Sequence, residues 1–313
     1  MKRKTRTDRR LDAVFEAAER LSFDDSSRIV LMSDCHRGDG SWADNFARNQ
    51  ALYNAALERY TAEGYTYIEL GDGDELWENT SMQTILSMHR HVFLSLARLY
   101  QQKRFYMLFG NHDMLKNGTD FAACLSECPD DCQCCCHPLF PGLRIHEGLV
   151  LQHQPSGGEL LLVHGHQADF FNDRLWRVGR LLVHRLWKPL ELMGVHDPTS
   201  AAKNYRRKDR VERHLTNWVR EKPLLLVAGH THRPSFPKPG EAGYFNDGSA
   251  VHPGSVTALE ISSGILRLVK WVYKTRMDGV LFAGRETIGG PEPLASYFSS
   301  VSSAISEENT EKI

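Results

Sequence analysis

The 313-residue chain has no apolar run approaching the roughly 20 residues that a membrane-spanning helix needs. It has almost no net charge, −1 at neutral pH, so global attraction to nucleic acid or anionic lipid is not expected. The basic start MKRKTRTDRR runs into the amphipathic LDAVFEAAERL, with neither an apolar signal core nor a small-residue cleavage site. This gives the expectation of a cytoplasmic protein. Internal repeats are missing too. Cysteine is scarce outside one place: Cys35 stands alone, and the other six of the seven crowd between Cys124 and Cys136. Without an export signal, metal binding or a reduced thiol-rich loop is favoured over a disulfide framework.

What is present is an ordinary globular composition, 41% hydrophobic and 25% charged, on a length that can bury a full core. The near-zero net charge hides an uneven distribution. Residues 167–222 carry 13 Lys and Arg against 7 Asp and Glu, leaving the remainder acidic.

Short apolar runs recur, and each ends in Asp, His, Asn and Gly. RIVLMS runs into Asp34, YTYIEL into Gly71-Asp72, and RFYMLF into Gly110-Asn111-His112-Asp113. ELLLV runs into His164-Gly165-His166, and LLLVA into Gly229-His230-Thr231-His232. This is the pattern of strands whose C-terminal ends carry a site. Helical spacing of apolar residues over residues 42–63 and 80–100 separates the early strands, which implies an α/β fold. After GHTH the pattern changes to YFND, SVTALEI and ILRLVKWVY between Gly, Ser and Pro turns, which predicts a second, more antiparallel sheet.

Hydrolysis of a phosphoester at neutral pH needs a nucleophile and a sink for charge on the phosphoryl oxygens. Two divalent ions roughly 3.5–4 Å apart supply both, and such ions take carboxylate, imidazole and amide-oxygen ligands. Those residue types stand at all five strand ends.

In order, Asp34-Cys35-His36, Gly71-Asp72-Gly73-Asp74-Glu75, Gly110-Asn111-His112-Asp113, His164 and Gly229-His230-Thr231-His232 match D-x-H, G-D-x-x-D/E, G-N-H-D/E, H and G-H-x-H. The chain thus resembles the calcineurin-like metallophosphoesterases over roughly residues 28–271, with specificity only in the metal motifs. The resemblance implies a four-layer α/β/β/α metallophosphoesterase sandwich with a helical insert. It also implies dinuclear hydrolysis of phosphoester or pyrophosphate bonds by a metal-bridging hydroxide. Asp34, His36 and His232 would hold one ion and Asn111, His164 and His230 the other, with Asp72 bridging. His112 would be catalytic, stabilising phosphoryl charge or protonating the leaving oxygen, and Asp113 would orient it. Manganese is the expected metal, with iron or zinc as alternatives.

The branch most similar is that of UDP-2,3-diacylglucosamine pyrophosphohydrolase, because a helical insert separates the HGH block from GHTH. That places a nucleotide-sugar or lipid-linked pyrophosphate among the expected substrates. Arg37, Glu75, His166, Asp169, Arg174 and Arg177 are candidate substrate-binding residues. Where the family often reads H-G-D-x-x-D, His166 stands in place of the acid, and Asp74 is an extra acid with no assigned role.

The boundaries expected are a basic, helical extension over 1–27, a catalytic domain over 28–298, and a polar tail over 299–313. Within the domain lie a cysteine-rich insert, 124–137, and a helical basic insert or lid, 170–222. The lid's arginines and its Leu and Trp residues could receive an acyl chain, a nucleobase or a membrane surface. The plainer reading, a helix packing that stripe on the core, is favoured. Lys203, Arg206, Arg207, Lys208, Arg210 and Arg213 read as a solvated helix face. Cys124, Cys128, Cys132, Cys134 and His137 are candidate ligands of a structural zinc, although C-x3-C-x3-C-x-C-C-C-H does not match paired C-x2-C arms. Cys35 should point away from the ions and pack. A nuclease using the basic insert as its phosphate track, and a metal-binding module without turnover, are the competing functions.

Overall fold

The computed structural model describes residues 4–118, 125–127, 137–183 and 205–301. The cysteine-cluster zinc reading falls outside them, since Cys124, Cys128, Cys132, Cys134 and the His137 side chain are not among the described groups.

The chain opens with α1 (Arg6–Ala17), started by a capping box in which Thr5 accepts from Asp8 N–H and Asp8 accepts from Thr5 N–H. It buries Leu11 and Val14. β1 (Glu19–Phe23) follows, then β2 (Arg28–Met32), α2 (Gln50–Ala62), β3 (Thr66–Leu70), α3 (Met82–Met88), α4 (Arg90–Gln101) and β4 (Phe105–Leu108). The two-residue strands β5 (Ser126–Glu127) and β6 (His137–Pro138) pair only with each other. Next come β7 (Ile145–His146), β8 (Gly148–His153), β9 (Glu159–Val163), α5 (Phe170–Arg174), α6 (Trp176–Leu182) and α7 (Tyr205–Arg220). β10 (Leu224–Ala228), β11 (Tyr244–Asn246), β12 (Ser255–Ser262), β13 (Ile265–Thr275) and β14 (Leu281–Pro293) complete the strands, and residues 294–301 are helical.

Two sheets result. One has seven strands in the order β14-β13-β12-β2-β3-β4-β7, and the other five in the order β1-β8-β9-β10-β11. Their strands read as near-continuous apolar runs because both faces are covered. In β2, Ile29 and Leu31 face the other sheet while Val30 and Met32 face the helices. In β10, Leu225 and Val227 face inward while Leu224, Leu226 and Ala228 face outward. Three apolar layers follow from this alternation: α2 and α4 on the seven-stranded sheet, sheet on sheet, and α1 and α7 on the five-stranded sheet. This is the four-layer α/β/β/α sandwich.

The strands after GHTH do not build a separate antiparallel sheet. β11 pairs parallel with β10, while β12 pairs antiparallel with β2 and carries β13 and β14 outward. β12 covers an edge of β2 that would otherwise be open. The second sheet gathers instead strands on either side of the cysteine-rich segment, with β1 parallel to β8 at its edge.

Two expected helices are shorter than their apolar spacing suggests. The first starts only at Gln50, because the Asp44 carboxylate ties Phe46 and Ala47 N–H groups into a turn. The second divides at His89, whose ring meets Asp44 at 2.8 Å and Gln50 at 3.1 Å. Among the described residues, no helix is long and apolar enough to cross a membrane.

Candidate metal centre

The strands β2, β3 and β4 of one sheet and β9 and β10 of the other end at the same rim, and their following residues meet there. Asp34, His36, Asp72, His230 and His232 all adopt positive φ, between 49° and 67°. Among the described residues only Lys103 and Ser263 share that conformation without being glycine. A non-glycine residue held there costs about 1–3 kcal/mol, and such strain clusters at sites where direction matters more than stability.

Two glycines permit the close approach of these loops. A Cβ on Gly110 would stand 2.5 Å from Asp72 N, and one on Gly229 would stand 2.5 Å from Asp34 Oδ2. Hydrogen bonds then fix the loops. His230 N–H donates to Asp34 Oδ2 at 2.8 Å, and His112 N–H donates to Asp72 Oδ1 at 2.8 Å.

The ligand atoms fall into groups within 4.8 Å of one another: Asp34 with His36 and His232, and Asp72 with His164 and His230. His232 Nε2 lies 2.9 Å from Asp34 Oδ1, and His164 Nε2 3.1 Å from Asp72 Oδ2. His36 Nε2 stands 3.8 Å from Asp34 Oδ1 and 3.7 Å from Asp72 Oδ2, so Asp72 links the two groups. Asn111 is buried beside them with neither amide atom hydrogen-bonded. Asp34 Oδ1, His36 Nε2, His164 Nε2 and His232 Nδ1 are likewise buried without a well-aligned hydrogen bond, despite the short imidazole–carboxylate approaches. An unsatisfied buried polar group costs about 1–3 kcal/mol, and several converging in one place fit a cation rather than an apolar core. Carboxylate oxygens, imidazole nitrogens and one amide oxygen suit borderline divalent ions.

Burial alone would depress His164, yet the carboxylates of Asp72 and Asp34 outweigh it and raise the imidazole to about 9. Burial lowers His232 to about 4 despite Asp34. Burial would raise Glu75, but His112 and His36 draw it down to about 2, so it stays ionised.

Glu75 is not a substrate residue. One of its oxygens meets His36 Nδ1 and the other His112 Nδ1, each at 2.8 Å, which leaves only Nε2 of each ring for other partners. The orienting acid of His112 is therefore Glu75 and not Asp113. Asp113 instead accepts from Gly110 N–H at 2.6 Å and from Gly73 N–H at 3.0 Å, stitching the β3 and β4 loops together.

Arg37 is also withdrawn from substrate. It is fully buried, donates to both oxygens of Glu69 at 2.8 and 2.9 Å, and meets Asp74 at 2.7 Å. Lys116 closes the cluster at 2.7 Å from Asp74 and 2.6 Å from Asp113. Asp74 thereby acquires a role, as one of five buried charges beneath the site. Removing one partner from such a cluster leaves an uncompensated charge costing about 3–5 kcal/mol, which ties the ligand loops to the core.

His166 is fully buried without a partner for either nitrogen and lies against Phe109 and His164, so it does not face substrate. Asp169 accepts from Arg207 at 2.6 and 2.9 Å and stands 3.6 Å from His230 Nε2, so it faces a candidate ligand and not open space. Burial would raise its carboxyl, but His230 and Arg207 hold it well below the usual range. Arg207, with its guanidinium on Asp169, and the buried Lys208 are accordingly not on a solvated face. Arg174 is exposed beside Asp173, and Arg177 lies over its neighbour Trp176. Cys35 is buried in the helix-side core and packs there as expected, although the positive φ of Asp34 and His36, and not strand alternation, turns it that way.

The described part of the insert's apolar stripe does not pack on the core: α6 buries none of its residues. Its contact with the domain is local. Gly179 abuts Trp77, and Arg180 Nε donates to Leu76 O at 3.0 Å. Trp77 in turn stacks on His112 with ring centres 4.3 Å apart and planes 22° apart. Motif spacing missed this residue, although it follows Glu75 by two positions.

The sequence profile of the family described as calcineurin-like phosphoesterase matches residues 27–234. The chain belongs to this family. As a calcineurin-like phosphoesterase it is a phosphoesterase hydrolase, and its clustered His and Asp side chains are those of a metal-dependent one. No curated protein matches it. Among solved structures it is similar to the cold-active protein-tyrosine phosphatase of a psychrophile, Shewanella sp.. That match has 14% identity over 92% of this chain and 86% of the other, at a TM-score of 0.35, too loose to bear on fold or function.

Proposed function

We propose that the protein is a dinuclear hydrolase of phosphoester or pyrophosphate bonds. The reading rests on the two ligand groups, Asp34-His36-His232 and Asp72-His164-His230, joined through Asp72 with His112 alongside. Divalent ions bound there, manganese with iron or zinc as alternatives, would supply an activated water and neutralise phosphoryl charge. Asp34, His36 and His232 would hold one ion and Asn111, His164 and His230 the other, with Asp72 shared. His112, its Nδ1 held by Glu75, would present Nε2 to the leaving oxygen and protonate it. Trp77 and the ring of His36, edge-on at 4.6 Å, exclude water from two sides of that imidazole.

Phe170, Phe171, Leu175, Val178, Leu181 and Leu182 are exposed along α5, α6 and the residue that joins them. Arg6 lies over Phe170 and Arg207 over Phe171. Apolar area edged by guanidinium groups suits a substrate with a phosphate or pyrophosphate next to a base or acyl group.

Purified protein loaded with manganese should hydrolyse some member of a panel of nitrophenyl phosphate mono- and diesters, nucleotide-sugar pyrophosphates and oligonucleotides, and lose that turnover to a chelator. A metal-loaded protein silent on the whole panel would remove the reading. Turnover confined to oligonucleotides and falling steeply with salt would replace it with a nuclease.

A further inference from the structure

Helix α6 of the insert reaches His112 through one residue, Trp77. A histidine ring with a single hydrogen bond, as His112 has to Glu75, can still swing about its Cβ–Cγ bond. The near-parallel face of Trp77 removes that freedom on one side, and the edge of His36 limits it elsewhere. Trp77 is itself held by packing: its indole Nε1 has no hydrogen-bond partner, although its backbone N–H donates to Glu75 at 3.2 Å. What seats the indole is α6. A Cβ on Gly179 would come within 3.1 Å of Cη2 and 3.2 Å of Cζ3 of Trp77, tighter than ordinary contact, so a side chain there would push the indole or the helix by a few tenths of an ångström. One residue on, Arg180 binds Leu76 O and fixes the helix against the backbone that carries Trp77.

We propose that Trp77 is the positioning residue of His112 and that α6, through Gly179 and Arg180, sets Trp77. The placement of the insert is thereby coupled to leaving-group protonation. This rests on His112 being the leaving-group acid.

The test uses the full chain, manganese-loaded, on aryl phosphate esters of graded leaving-group pKa, because a misplaced acid harms poor leaving groups more than good ones. Trp77→Ala should lower kcat on phenyl phosphate about 10-fold and on 4-nitrophenyl phosphate at most about 3-fold, with KM and bound metal unchanged. Trp77→Phe keeps a stacking ring and should restore most of the rate. Gly179→Val, which leaves the site residues intact, should show the same leaving-group bias as Trp77→Ala, and it decides the matter if the alanine variant does not fold. Equal losses on both esters, or no loss in either variant, would overturn the coupling. His112→Ala with full activity would instead overturn the assignment of the acid.

Discussion

Asp72→Ala is expected to lower kcat/KM by more than about 10³-fold and to lose bound metal. No other side chain faces both ligand groups so directly. One oxygen points at His164 at 3.1 Å and toward His36 at 3.7 Å, while the other receives the His112 N–H. Alanine would remove the carboxylate proposed to be shared and, with it, the acceptor of the His112 N–H. Asp72→Asn separates the two contributions, since the amide oxygen still accepts from His112 N–H but brings no charge. Kinetics on a nitrophenyl ester beside metal content of the same sample give the answer. Activity of Asp72→Ala within tenfold of the parent, with full metal, would mean that the shared carboxylate is misassigned.

His112→Ala should behave differently, lowering kcat by about 10²–10⁴-fold while leaving metal content intact. The distinction matters because His112 also lies in a group with His36 and Asp72 whose ligand atoms are within 4.8 Å. Glu75 engages Nδ1 of both rings, but the His112 ring stacks on Trp77 at the partly exposed side of the site whereas that of His36 is buried, which favours His112 as the acid over the ligand. The loss should be larger on phenyl than on nitrophenyl esters. Loss of one equivalent of metal on this substitution would make His112 a ligand and leave the leaving group without its proton donor.

Much of this arrangement was legible in the sequence because strand ends leave a local signature. Apolar runs closing on DCH, GDGDE, GNHD, HGH and GHTH place their side chains at one rim whatever the sheet order. Sheet membership was not legible, because hydrogen bonding between strands is non-local. Nothing in SVTALEI says that it lies against RIVLM rather than beside YFND. The same limit explains the residues given the wrong partners. Glu75 and Asp113 are both acids near His112 in the chain, and only the fold decides that Glu75 reaches the ring while Asp113 turns back to Gly110. Arg37 is a candidate substrate residue by sequence, yet the backbone turns at His36, bridges Arg37 to Asp74 and sends the guanidinium into the interior, onto Glu69 and Asp74. Helix α7 of the insert packs on the core as its spacing predicts, and α6 departs from that expectation for a related reason. Its period is that of an amphipathic helix, but the apolar face of α6 stays exposed while Gly179, unremarkable in sequence, makes the contact.

A dinuclear centre is tested most directly by the number of ions the site holds. Metal-free protein titrated with manganese, with bound metal and turnover read on the same samples, should bind two equivalents and reach full activity only as the second is filled. Saturation at one equivalent with full turnover, or full turnover without metal, would contradict it.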